Sequence, residues 1–237
     1  SPHQAGDAGK EYQGPIKTYT QQKSQEPNEY VSQCVSEYVQ EASDKLIENG
    51  GYINGYLNMS YKYKEIPYLC YTKQNYARCI TQEPVLINHL EKEIYNYLNP
   101  KIEVCFEMMK KDFEKKGYTV SFETTTNFSV ELISRKARVE IDKKVSAEKA
   151  DSVKKFIHFS SITQTPLYDL AIIIQKITEE EALYVNSDYT KIMKANTWVD
   201  IKKTQTGDDN RIYTVTDTKT EKSWTFAVRG GVLDTPK

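Results

Sequence analysis

Four cysteines, Cys34, Cys70, Cys79 and Cys105, lie in the first half of a 237-residue chain, and their placement constrains the fold more than any other feature. No two are separated by the two to four residues that a zinc knuckle or a thioredoxin-like motif requires. Cross-linking is the chemistry that remains. Four cysteines allow three connectivities, and local sequence separates them. Cys70 and Cys79 flank the polar segment 71–78, in which a strand can fold back and bring the two together. Cys34 and Cys105 fall on predicted helices, each on an apolar face: Val31, Cys34, Val35 and Tyr38 on one, Ile102, Cys105, Phe106 and Met109 on the other. A helix pair would let them meet. Loop-closure entropy values the long-range bridge at about 4 kcal/mol and the short one at roughly 2.5–3 kcal/mol, a large part of the ~5–15 kcal/mol of a typical domain. Disulfides persist in oxidising compartments, so the expected location is extracellular or at the cell surface. Four reduced cysteines packed as small apolar side chains stay open as the alternative.

The rest of the chain reads as α+β: N-terminal disulfide-stapled helices, then antiparallel β-meanders packed on a long apolar helix. Residues 1–27 are rich in Gly, Gln, Ser, Thr and Pro and have the composition of a linker or extended polar arm. Within it, residues 16–20 carry enough β-branched character to add as a strand to an exposed sheet edge. Pro27 and Asn28 open a helix with Asn28 as N-cap, and Gly50 and Gly51 close it. Residues 52–79 alternate tyrosine and aliphatic residues with polar ones and predict a ribbon holding the short disulfide. Pro84 starts a second helix, which Asn99 and Pro100 kink or restart before it reaches Gly117. Four β-rich runs follow, 118–126, 128–133, 137–145 and 152–162, as an antiparallel meander. Thr165 and Pro166 cap the apolar helix, with Leu167, Leu170, Ala171, Ile174 and Ile177 as its buried stripe. After a short helix near 187–194, strands at 198–204, 211–216 and 224–229 close the chain, with a hairpin turn at 207–210. The organisation is thus an arm (1–27), a helical stapled region (28–117) and an α+β region with two meanders (118–237), 28–237 being also readable as one domain. Helix followed by three strands occurs twice and hints at a duplicated unit.

Composition removes several function classes. Thirty-two basic against 33 acidic residues give a net charge of -1, so no global field draws the chain to nucleic acid or anionic lipid. No run approaches the roughly 18–20 apolar residues of a spanning helix. The chain begins with Ser1 and Pro2 and not with an initiator methionine, which suggests that processing, tag cleavage or truncation has removed what preceded it, and membrane attachment is expected only through a missing upstream anchor. His3, His89 and His158 are far apart and have no partners at ligand spacing, so no metal site is expected. No nucleophile elbow, phosphate loop, dinucleotide fingerprint or zinc-protease motif is present, and neither a catalytic residue nor a cofactor is assigned. Glu91 with Glu93 and Asp208 with Asp209 read as helix-surface and turn residues; a hydrolase would need two carboxylates facing across a cleft. Sequons at Asn58 and Asn127 are possible glycosylation sites in a secreted protein. Eighteen tyrosines suit partly buried surfaces and subunit contacts, and a biased genome would explain them equally well.

With the cysteines placed, the chain resembles a family of uncharacterised surface proteins from small-genome archaea of the DPANN group. The resemblance rests on Cys34 in the first helix, Gly-Gly-Tyr-Ile at 50–53, Ile-Pro-Tyr-Leu-Cys-Tyr at 66–71, and Cys79 followed by Gln82 and Pro84. It continues through His-Leu-Glu-Lys-Glu-Ile-Tyr-Asn-Tyr-Leu at 89–98, Cys105, Pro-Leu-Tyr-Asp-Leu-Ala at 166–171 and Phe-Ala-Val-Arg at 226–229. It implies an ectodomain behind a pilin-like N-terminal anchor, which these residues do not include, and it supplies no catalytic residues. The expected function is therefore a structural or adhesive extracellular surface protein, a filament or cell-envelope subunit assembling through its N-terminal arm. Its expected partner is another copy or another cell-surface protein. The alternative is a binding ectodomain that recognises a partner-cell surface, peptide or glycan through exposed tyrosines in 52–76. An extracellular hydrolase is the third reading.

Overall fold

A computed structural model describes residues 26–232. The expected arm strand at 16–20, and His3, lie outside the described residues. In chain order the elements are α1 (Pro27–Glu48), β1 (Asn58–Tyr61), β2 (Lys64–Tyr71), β3 (Ile80–Thr81), α2 (Leu86–Lys115), β4 (Thr119–Phe122), β5 (Asn127–Ile133), β6 (Lys136–Lys149), β7 (Ser152–Gln164), α3 (Leu167–Tyr184), α4 (Tyr189–Ala195), β8 (Val199–Gln205), β9 (Asn210–Asp217) and β10 (Ser223–Arg229). The molecule is α+β, with four helices and two sheets among the described residues. Two disulfides are present, Cys34–Cys105 joining α1 to α2 and Cys70–Cys79 closing the end of β2.

Val31, Val35, Val39, Ala42 and Leu46 recur at helical spacing and are buried along α1. Asn28 lies inside this helix and is not its cap. Pro27 occupies the first turn, where its missing N–H is no loss, and it holds Glu26 in an extended conformation at φ -69 and ψ 151. The helix ends where the Gly51 amide donates to the Leu46 carbonyl at 2.7 Å. Glycine is required there twice over: Gly50 has φ +66, and a Cβ on it would come within 2.3 Å of the Pro67 ring and 2.5 Å of the Thr225 carbonyl.

α2 runs for 30 residues and passes through Pro100 without a break. The helix does not restart at the proline: Leu90, Ile94, Leu98, Ile102, Cys105 and Met109 form one buried stripe across it, so packing on both sides offsets the backbone hydrogen bond that proline removes. A continuous apolar core links α1, α2 and α3 to both sheets.

The first sheet is not a four-run meander. β4 and β5 lie end to end along one edge of β6, and β7 covers the other edge for nearly its whole length. Between the two short strands, Lys143 and Lys144 form a bulge against the single residue Ile157. In the second sheet the C-terminal strands do form an antiparallel meander, β8-β9-β10, but β10 continues into β2 in parallel. The N-terminal ribbon thus extends the C-terminal sheet. Pairing with β10 sets Tyr68 beside Ala227 and Cys70 beside Val228, within the buried run Ile66–Cys70 of β2.

The apolar helix α3 spans 18 residues, is amphipathic, and leaves Ile172, Leu183 and Tyr184 exposed. It packs chiefly on the second sheet and reaches β5, while α1 and α2 cover the first. The expected single central helix is therefore three helices sharing the core. No described helix is long and apolar enough to cross a membrane.

Candidate assembly surface

A buried polar cluster gathers around Glu181 on α3. Glu181 on α3 is fully buried; it accepts hydrogen bonds from the Tyr213 hydroxyl, from the Arg211 Nε at 3.0 Å and from the Ser187 amide at 3.3 Å. Arg211 also places Nη2 2.8 Å from Glu181 and donates to the Gly230 carbonyl at 2.8 Å. Burial, reinforced by the Glu181 carboxylate, pushes the Tyr213 phenol far above its ordinary range, while desolvation holds Lys203 below its own. Each member has a partner, so the cluster ties α3 to β8, β9 and the chain's C-terminal end.

A second such group sits at the β6 bulge. Lys143, 2% exposed, donates to Glu103 at 2.9 and 3.0 Å and to the Thr126 hydroxyl at 2.6 Å, with the Phe106 and Phe122 rings around it. It fixes the bulge to α2.

The residues singled out in the sequence do not converge. Glu91 accepts from the Leu132 amide on β5 and Glu93 from the Ile53 amide, so these carboxylates brace two different segments. Asp208 and Asp209 form the β8–β9 turn at positive φ. His89 contacts the Gly51 carbonyl at 2.8 Å, and His158 pairs with Asp142 across two strands at the surface. Asn58 and Asn127 are exposed at the first residues of β1 and β5. The expected tyrosine cluster is divided: Tyr52 and Tyr68 are buried, while the exposed Tyr63 and Tyr76 project beyond opposite ends of β2. Among the described residues no group of three or more His, Cys, Asp or Glu side chains could hold a metal ion.

The outstanding surface is the outer edge of β7. This 13-residue strand pairs with β6, and no described strand pairs with its other side. Phe159, Ser161 and Thr163 turn inward beneath α1, which is pinned to the strand by Ser36 Oγ to Thr163 Oγ1 at 2.9 Å and by Ser161 Oγ donating to the Ser32 carbonyl at 2.9 Å. The bulge shifts the alternation, so Phe156 falls on the inner face opposite Val145. Val153, Ile157 and Ile162 are 55%, 49% and 54% exposed, whereas the solvent face of β6 carries Glu140, Asp142, Lys144 and Glu148.

Edge strands are ordinarily protected by charge, proline, glycine or short length. Residues 156–164, Phe-Ile-His-Phe-Ser-Ser-Ile-Thr-Gln, contain no Lys, Arg, Asp, Glu, Pro or Gly. A groove of about 620 Å³ follows this edge between Ile162 and the α1 stripe of Glu29, Ser32, Ser36, Glu37 and Gln40. Near the β6–β7 turn an apolar pocket of about 350 Å³ adds Phe122, Val145, Phe156 and Ile157. The Glu26–Lys154 ion pair, 3.5 Å, sets the start of α1 at that end of the strand. The absence of protecting residues in 156–164 was visible in the sequence; that this strand lies at an edge of its sheet was not.

Compared with known proteins, the chain matches no family, no curated protein and no solved structure.

Proposed function

We propose that this protein is a structural subunit of an extracellular surface assembly, a filament or cell-envelope component, that associates with further copies by strand addition at β7. The observation that carries the reading is the long β7 edge, which no described strand pairs and which is free of protecting residues over 156–164 and lined by exposed isoleucines. The two disulfides point to an oxidising, non-cytoplasmic compartment and support the same reading. The resemblance to archaeal surface ectodomains, which typically carry an N-terminal anchor, is in keeping with it. A binding ectodomain has less support, since the two exposed tyrosines of its expected surface are at opposite ends of β2 and form no shared platform.

The test is sedimentation velocity over a wide concentration range on the chain and on an Ile157→Lys/Ile162→Lys variant. Both positions are about half exposed, so the fold tolerates the change while the edge gains the charge that blocks strand pairing. The chain should form larger species that the variant does not, with unchanged circular dichroism. A chain that stays monomeric at the highest concentration, or a variant that assembles equally well, refutes the proposal.

A further inference from the structure

We infer that the strand received by β7 is residues 16–22 of a second copy, held in the groove between β7 and α1. The inference rests on the self-association proposed above. The groove wall is polar and carries the carboxylates of Glu29 and Glu37, whereas its floor exposes Ile162. The segment Ile-Lys-Thr-Tyr-Thr-Gln-Gln meets both demands, because in a strand alternate side chains face opposite ways. Lys17, Tyr19 and Gln21 would then face α1, where Lys17 enters the field of the Glu29 and Glu37 carboxylates, which lie about 12 Å apart along the helix, while Ile16, Thr18 and Thr20 would lie on the side of Ile157 and Ile162. Thr18, Tyr19 and Thr20 are also strong strand formers.

Length and backbone geometry choose a second copy over the same chain. Only residues 23–25 separate the segment from Glu26, a link of about 13–14 Å when extended. Returning along its own α1 would require a tight reversal between the segment and the helix. That reversal would have to fall within these few residues, where Ser24 is the single turn-favouring side chain, and against Glu26, which Pro27 fixes in an extended conformation. An extended continuation from Glu26 would carry the segment to a neighbour's groove and not back to its own.

Three proteins test this by sedimentation and light scattering: the chain, a form lacking residues 1–25, and charge variants. The shortened form should be monomeric, should refold normally, and should bind a synthetic peptide of residues 12–25. Lys17→Glu should weaken assembly about fivefold, the strength of a pair of exposed charges, and Glu29→Lys/Glu37→Lys combined with it should restore assembly. If the shortened form assembles like the full chain while Ile157→Lys/Ile162→Lys abolishes assembly, the arm is not the occupant and this inference falls while the proposed function stands. If the shortened form binds the peptide but the full chain is monomeric, the arm fills its own groove and the inference is overturned together with the assembly reading. Failure of the peptide to bind and of the full chain to assemble also overturns both.

Discussion

Glu181→Ala is the sharpest probe of what holds the two halves of this molecule together. The carboxylate is 0% exposed and faces Arg211, itself buried, with Tyr213 and Lys203 beside it. Truncation leaves the guanidinium without its counter-ion in a place water does not reach, and removing one partner of a buried pair costs about 3–5 kcal/mol. Against a total of ~5–15 kcal/mol that is a severe loss, and for a chain of this size it lowers the melting temperature by about 6–20 °C. The penalty arises from the stranded charge and not from the lost attraction, so removing both partners should hurt less than the sum. Glu181→Leu/Arg211→Met should therefore recover at least about 2 kcal/mol relative to the added single costs. The assay is urea unfolding with the disulfides intact, followed by far-ultraviolet circular dichroism and tryptophan fluorescence, since Trp224 is fully buried in the neighbouring strand. A loss below about 1 kcal/mol for Glu181→Ala, or strict additivity in the double variant, would refute the account.

Three further expectations use the same unfolding assay. Replacing Cys34 and Cys105 by serine, which opens a link across 71 positions, should cost about 4 kcal/mol, and replacing Cys70 and Cys79, 9 positions apart, about 2.5–3 kcal/mol; equal losses would contradict the chain-entropy argument. At the β6 bulge, Glu103→Ala strands the buried Lys143 ammonium and should cost about 3–5 kcal/mol. Lys143→Met keeps the aliphatic stem and frees a half-exposed carboxylate, so it should cost under about 1.5 kcal/mol; the reverse order would show that the lysine is not desolvated. Burial, with Glu83 and Glu181 nearby, raises the Tyr52 and Tyr213 phenols, and burial raises Tyr68, all from an ordinary value of 10.0. Above that pH the folded chain keeps protons that the unfolded chain has lost, so stability falls as pH rises through about 10 and beyond. Lys203, lowered by desolvation, acts in the opposite sense but is one group against three. Midpoints measured between about pH 9 and about pH 11.5 should decrease, and a rise would refute the assignment.

Much of the architecture was legible because it depends on neighbours in sequence. Apolar periodicity marks α1, α2 and α3, Gly50 with Gly51 and then Gly117 mark the ends of the first two, and the cysteine environments sort into one local and one helix-to-helix pair. What was not legible depends on contacts between distant segments. Asn28 has the chemistry of a cap, but Pro27 starts the helix one residue earlier. Pro100 has the signature of a break, but a stripe buried on both sides of it keeps α2 continuous. The arrangement of β4 and β5 along one edge of β6 follows from the bulge at Lys143 and Lys144, whose buried ammonium needs Glu103 from α2.

The same division applies to the candidate surface. Sequence alone determined that a polar, β-prone arm precedes a disulfide-stapled α+β body without a visible catalytic constellation, since composition, cysteine spacing and motif chemistry are local quantities. It also held the unprotected run of 156–164 and the acidic stripe of α1 as two unrelated facts. Only the tertiary structure decided that β7 is an edge, that α1 lies beside it, and that β2 joins β10 in parallel. Edge position is set by which strands fail to pair, and that depends on how the whole chain shares out its backbone hydrogen bonds and buried area.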